Sequence, residues 1–223
     1  AADANRERQM ILRHIGMIDL LVDLTLLPFT TLRTNVDDIQ SYDLQPAFMN
    51  TMALAYTGLK FTIQAYKPNE LYTSQWLPSI MSQAVVIEEN FHIQANSTLT
   101  ELLDNNRRIL ESRINEELIK NYLESFLSKE KHEKYLVTLT VLCICDRLPI
   151  RKNQKLLCNL LLENKEVFSK LNVKIFETGP EVMFFDEVGE EYKELKKLSH
   201  GNVLQHHAKL RNYLLQLIKL YSA

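Results

Sequence analysis

Residues that interrupt regular structure are scarce in this chain. Five glycines and six prolines are spread over 223 residues, and so few breakers, with so much leucine, predict a mostly helical protein with short connections. Cysteine is rare as well. Cys143, Cys145 and Cys158 form no disulfide framework, and the Cys143-Ile144-Cys145 pair lacks the second pair or histidines that a zinc site uses. All three are expected to be small buried thiols, which suits a reducing compartment. An excess of basic residues is missing too: 26 Lys and Arg stand against 28 Asp and Glu, a formal charge of −2. That removes the simplest nucleic-acid reading and leaves any positive site to be local. No apolar run approaches the roughly 20 residues of a membrane span; the nearest, Tyr135 to Cys145, has about half that length between charged flanks. No signal peptide is expected from the sequence. The chain opens on a helical pattern without an initiating Met, and reads as a piece of a longer polypeptide.

Catalytic constellations are also wanting. Glu88-Glu89, Glu116-Glu117 and Glu190-Glu191 are adjacent pairs, and neighbours on a helix diverge by about a quarter turn or more, so solvation is their expected role. His206-His207 lacks the i, i+4 spacing of a helical metal site, and His14, His92 and His132 have no local partner. No Ser-His-Asp order, glycine-rich phosphate loop or His-Glu-x-x-His string occurs. The expectation is no enzyme, no metal and no cofactor.

Helical periodicity fills most of the chain. Met10, Ile11, Ile15, Ile18, Leu21 and Val22 keep one period until Pro28, and Thr30 to Asp43 reads as a loop. A second helix is expected over Gln45 to Ala65, with Pro46 in its first turn; Pro68 ends it or begins the next. Asn69 to Ala84 is amphipathic, with a bend or restart at Pro78, and Ser97 is expected to cap a helix with Glu101 in its first turn. Asn115 to Ser128, Glu130 to Cys145 and Asn153 to Leu162 have the lengths of armadillo-type helices divided by short polar turns. Val173 to Val188 reads as a β-hairpin excursion, Glu187 to Lys197 as a solvated helix face or linker, and Asn202 to Tyr221 as a final helix. The expected architecture is an all-α, armadillo-like solenoid, divided into a domain over 1–172 and a continuation over 173–223.

One segment departs from plain scaffold. In Asn5-Arg6-Glu7-Arg8-Gln9-Met10-Ile11-Leu12-Arg13, Arg6 and Arg13 lie at i and i+7, on one helix face two turns apart. The plainer interpretation is a charged outer face of a terminal helix. Against it, Tyr66-Lys67 follows the second helix, where a hydroxyl and an ammonium meet the first helix in a helical hairpin. Such a set suits phosphate, whose charge-assisted bonds are short and strong.

At these residues the chain resembles the helical, armadillo-like homology domain shared by inositol trisphosphate receptors and ryanodine receptors. The resemblance is carried by Asn5-Arg6-Glu7-Arg8-Gln9, Leu27-Pro28-Phe29-Thr30, Tyr66-Lys67 with Asn69, Leu102-Leu103-Asp104-Asn105-Asn106-Arg107-Arg108, and Leu142-Cys143-Ile144-Cys145. It continues more weakly into Val182 to Phe185 and Tyr213 to Tyr221, and a divergent loop occupies Thr31 to Tyr42. The first two strings lean to the inositol trisphosphate receptor branch, and Arg151-Lys152-Asn153-Gln154 to the ryanodine receptor branch. The resemblance implies a cytosolic module of a homotetrameric calcium-release channel, on the cytosolic face of the endoplasmic reticulum or another calcium store. It implies one wall of a clamp for inositol 1,4,5-trisphosphate, a neighbouring β-trefoil supplying the other, and contacts with further helical domains, without nucleic acid or direct membrane contact. Carried over by position, Arg6, Arg13, Tyr66 and Lys67 are phosphate-contacting or adjacent residues. Met10 and Pro68 stand where the family has basic residues. Each lost cation removes a charge-assisted bond of about 1.5–3 kcal/mol, so the expected clamp is depleted. The alternative is a purely structural armadillo scaffold for domains or a peptide, with no small-anion ligand.

Overall fold

The computed structural model describes residues 2–32, 46–87, 92–127, 133–163, 171, 174–178, 181–188, 191–199 and 208–222. The expected loop over Thr30 to Asp43 falls mostly outside them; Thr30 to Leu32 are helical.

The first apolar period is broken where the sequence reading carried it through. Helix α1 (Ala2–His14) stops at Gly16, whose φ of +77° is left-handed backbone open to glycine. The Gly16 N–H donates to the Arg13 carbonyl at 3.0 Å, and α2 (Met17–Leu32) leaves at 66° to α1. Pro28 does not end α2. It is buried within the helix beside Phe29, so packing offsets the backbone bond that a mid-helix proline forfeits.

Helix α3 (Pro46–Ile63) is the centre of the first layer, packed against α1, α2, α4 (Lys67–Thr73) and α6 (Ala95–Leu103). Met52, Tyr56, Leu59 and Ile63 are fully buried, and Gly58 lies close enough to α2 that an added Cβ would sit 3.1 Å from Leu21. Pro68 begins α4, in a first turn where its missing N–H costs nothing. A short 3₁₀ turn, Ser74–Trp76, leads to α5 (Leu77–Val86), so the stretch expected as one helix bent at Pro78 is α4, a tight turn and a restart. Ser97 is not the cap of α6. Gln94, at φ 69°, takes the N-cap position, and the Ser97 hydroxyl instead donates back to the Gln94 carbonyl.

The second layer contains α7 (Arg107–Ser112), which the periodicity did not isolate, α8 (Glu116–Leu127), α9 (Glu133–Cys143) and α10 (Arg151–Glu163). Between α9 and α10 a small hairpin pairs β1 (Ile144–Cys145) with β2 (Leu148–Pro149). Asp146 and Arg147, at φ 49° and 64°, make its turn, the doubly positive geometry that suits the twist of a two-residue hairpin. Helix α9 also packs against α11 (Ala208–Ser222), where the Tyr213 hydroxyl donates to the Leu171 carbonyl at 2.6 Å.

A three-stranded antiparallel sheet follows the helical layers in sequence: β3 (Lys174–Thr178), β4 (Glu181–Val188) and β5 (Glu191–Ser199). The hairpin is as expected. The Glu/Lys-rich segment, however, is a strand rather than a helix face or linker. Its register runs from Glu181 opposite Ser199 to Val188 opposite Glu191. The body remains all-α with layered, armadillo-like helix packing.

Each layer is fastened by one buried asparagine. Asn69, third residue of α4, donates from Nδ2 to the Gln9 carbonyl of α1 and the Thr62 carbonyl of α3, both at 2.8 Å. Asn153, third residue of α10, donates to the Leu110 carbonyl of α7 at 2.9 Å and the Leu142 carbonyl of α9 at 2.8 Å. Both side chains are wholly buried. A lysine in the same first turn binds carbonyls as well: Lys67 reaches the Asp104 carbonyl at the end of α6, and Lys152 the Glu111 and Ile114 carbonyls.

Two outcomes are expected. Asn153→Ala orphans two buried carbonyls and lowers stability by about 2–4 kcal/mol, read as a fall in the urea midpoint. The expectation of three buried thiols holds for Cys143 and Cys145 but not Cys158, which is exposed. Burial pushes the Cys143 thiol up to about 12. A thiol-specific chromogenic reagent should therefore modify Cys158 at once, and Cys143 and Cys145 only on unfolding.

Candidate anion-binding elbow

The elbow between α3 and α4 begins with strain. Ala65 is held at φ +55°, a left-handed conformation that a β-carbon disfavours. Its N–H donates to the Glu101 carboxylate of α6 at 3.3 Å, and the Tyr66 N–H donates to the Ile63 carbonyl at 2.9 Å. Tyr66 is the N-cap of α4, so the elbow presents Tyr66 and Lys67 in sequence at the start of that helix.

Gln9 brings α1 to this elbow. Its Nε2 donates to the carbonyls of Phe61 and Gln64, at 3.0 and 2.9 Å, while its own carbonyl accepts from Asn69. Gln9 is buried, one turn from Arg6 and one from Arg13 on the same helix. The two arginines thus flank the stripe by which α1 rests on the end of α3 and the start of α4. Arg6 is exposed and Arg13 half-buried; Tyr66 is half-buried and Lys67 exposed. Arg13 also lies near enough to Tyr72 to act on its hydroxyl, which donates to Asp19 at 2.8 Å; that bond pushes the Tyr72 hydroxyl above its ordinary range. Met10 is 37% exposed, and Pro68 is exposed too.

Lys67 already has partners. Its Nζ lies 3.0 Å from the Glu70 carboxylate and donates to the Asp104 carbonyl at 3.2 Å. Glu70 is 1% exposed, and its Oε2 also accepts from Asn106 Nδ2 at 2.6 Å. Burial pushes the Glu70 carboxyl above its ordinary range, despite the opposing bonds from Lys67 and Asn106. Asn106 is in turn the N-cap of α7, its Oδ1 accepting from the Ile109 N–H at 3.3 Å. The preceding Asn105, at φ 50°, accepts from the Asp146 N–H of the β1–β2 hairpin at 2.9 Å. The string Leu102 to Arg108 is therefore the joint between the two layers: Leu102 and Leu103 fill the core, Asp104 and Asn106 meet α4, and Asn105 meets the hairpin.

Gln9, Asn69, Glu70 and Asn106, which organise the elbow, were not singled out as site residues from sequence. The available signal was a polar Asn69-Glu70 in the first turn of a helix, repeated as Asn153-Gln154. Among the described residues no group of three or more His, Cys, Asp or Glu could hold a metal ion.

A pH signature follows from Glu70. Its folded value lies above the ordinary 4.5, so the folded state binds the proton more tightly than the unfolded chain, and ionisation costs stability above that window. Glu70→Gln should raise the melting temperature at pH 7, with the gain closing as the pH falls towards 4.5. A gain that is constant with pH would contradict this account.

Comparison with known proteins gives this architecture a family. The RIH domain matches residues 1–173. The inositol 1,4,5-trisphosphate receptor itr-1 of Caenorhabditis elegans is 24% identical over 187 residues, covering 80% of this chain and 6% of the receptor. An inositol 1,4,5-trisphosphate receptor-like protein A of Dictyostelium discoideum is 28% identical over 124 residues, covering 55% of this chain and 4% of that protein. The chain thus spans about a twentieth of the length of these relatives. By the match over most of its length, the chain belongs to the RIH-domain family, the homology domain of ryanodine and inositol trisphosphate receptors, and its relatives carry inositol trisphosphate receptor names.

Proposed function

We propose that this chain is a cytosolic helical module of a tetrameric intracellular calcium-release channel. Residues 1–172 form one wall of an inositol trisphosphate clamp and 173–223 continue into the next helical segment. Arg6, Arg13, Tyr66 and Lys67 are the phosphate-facing set, a β-trefoil of the same polypeptide is the opposite wall, and movement of the clamp passes to neighbouring helical domains. The parent protein sits on the endoplasmic reticulum or another calcium store, with this module on the cytosolic side. No chemistry of bond making is assigned to it.

One observation carries the reading: Gln9 fastens α1 to the α3–α4 elbow, so that the face between Arg6 and Arg13 adjoins the segment bearing Tyr66 and Lys67. Guanidinium forks and a phenol hydroxyl suit the oxygens of a phosphate ester. The receptor names of the relatives agree with that chemistry. A second reading, a scaffold for domains or a peptide without a small anion, is favoured by one specific fact, the commitment of Lys67 to Glu70 and the Asp104 carbonyl.

The discriminating experiment is calorimetric titration of inositol 1,4,5-trisphosphate into the chain joined to its β-trefoil neighbour, at low and moderate salt. Saturable binding is expected, weakening with salt, and falling about tenfold or more in Arg13→Gln or Arg6→Gln, as loss of one charge-assisted bond dictates. Absence of heat at both salts would assign the chain to the scaffold reading.

A further inference from the structure

We infer that Glu70 is an internal competitor for the ligand: its buried carboxylate holds the Lys67 ammonium in the unliganded chain, and a bound phosphate must take Lys67 away from it. The inference rests on the clamp reading above and adds a residue that sets the affinity of that site.

The geometry is lopsided in a way that permits exchange. The Lys67 side chain is 54% exposed while that of Glu70 is 1% exposed, so the ammonium is free to swing on its flexible stem and the carboxylate is fixed. Glu70 keeps its bond from Asn106 when Lys67 leaves. The Asp104 carbonyl, the other partner of Lys67, belongs to an exposed residue and is readily rehydrated. Nor does fastening of the layer require the charge at Glu70. In the second layer the residue after the buried asparagine is Gln154, neutral and of the same shape, following an Asn153 that makes the same pair of carbonyl bonds as Asn69. A carboxylate at this position therefore serves something other than the clip, and the cation within reach is Lys67.

Exchange has a proton consequence. Losing Lys67 strips a buried carboxylate of its counter-ion and favours its protonated form. The charged neighbours cannot replace it. Glu101 on α6 repels Glu70, Asp104 and Asp146 are acidic, and Arg107 is engaged by Glu111 at 2.8 Å. Arg13 on α1 acts on Tyr72 rather than on Glu70. Ligand binding is thus accompanied by proton uptake at Glu70, over and above any proton that the ligand's own phosphates gain or lose.

The test is competition binding of radiolabelled inositol 1,4,5-trisphosphate to the full parent protein, from pH 5 to 8, for the native sequence, Glu70→Gln and Lys67→Met. Glu70→Gln is expected to bind about two- to fivefold more tightly at pH 7.5, the range set by a partly exposed ion pair. The two curves should converge as the pH falls and Glu70 of the native sequence becomes protonated. Lys67→Met is expected to bind more weakly, without the pH dependence that distinguishes the native sequence from Glu70→Gln, although Glu70 is retained. Superimposed or parallel curves for the native sequence and Glu70→Gln would overturn the competitor while leaving the clamp intact. An unchanged affinity in Lys67→Met would do the same without depending on folding of the Glu70 variant. No saturable binding by any of the three would overturn the clamp reading itself.

Discussion

A buried primary amide that donates twice is the interaction on which this structure turns. Helices meeting at their ends bring orphaned carbonyls together, and a carbonyl buried without a donor costs as much as a lost hydrogen bond. Asn153 answers this by placing one Nδ2 between the ends of two helices, and Asn69 by joining the end of α3 to the Gln9 carbonyl within α1. Aspartate has no donor to offer, and glutamine would carry its amide one methylene further. The arrangement has its own cost. Oδ1 of each asparagine is buried without a hydrogen-bond partner among the described residues. At Asn153 two satisfied helix-end carbonyls against one unsatisfied oxygen leave a net gain, since each orphaned group costs about 1–3 kcal/mol.

From this fastening comes the rest of the elbow. With α1 held by Gln9 and Asn69, the chain must reverse between Ile63 and Lys67 in three residues, and it does so through a left-handed Ala65. The same reversal recurs between α6 and α7, where Asn105 takes the left-handed position and Asn106 caps the next helix. Asparagine tolerates that conformation far better than alanine. The first elbow is thus the more strained of the two, and it is the one that carries Tyr66 and Lys67. Glu101, accepting from the Ala65 N–H, supports it from α6.

How much of this was legible beforehand depended on what kind of signal each part leaves. Apolar period and breaker content announced the helices, and Gly179-Pro180 between apolar stretches announced the hairpin. A break at Gly16 was hidden because Ile15 and Ile18 continue the apolar period across it, and both Ile11 and Ile15 are exposed, so the period there does not report burial. Helix α7 is too short for periodicity to detect. Strand β5 was hidden by its charges, which read as a solvated face, because its pairing with β4 is a contact that local composition does not display. At the elbow, Arg6, Arg13, Tyr66 and Lys67 were visible as basic and phenolic residues. The groups that position them, Gln9, Asn69 and Asn106, are uncharged amides whose partners lie far along the chain, up to 60 residues in the case of Asn69 and Gln9. A local pattern cannot display a contact of that separation.

Magnitudes decide which residues set the strength of the proposed clamp and which tune it. The resemblance places basic residues where this chain has Met10 and Pro68, and each missing charge-assisted bond is worth about 1.5–3 kcal/mol. Competition from Glu70 acts through an ammonium that is more than half exposed, where an ion pair contributes only about 0.2–1 kcal/mol. In the proposed clamp, Met10 and Pro68 therefore set the scale of affinity, and Glu70 modulates within it. The two effects also differ in kind. An absent cation is indifferent to pH, whereas a buried carboxylate paired with a mobile ammonium links anion occupancy to protonation. Through Asn106 that carboxylate also touches the cap of α7, and through Asn105 the same turn reaches the β1–β2 hairpin. The elbow therefore adjoins both the face of the proposed clamp and the joint between the two layers.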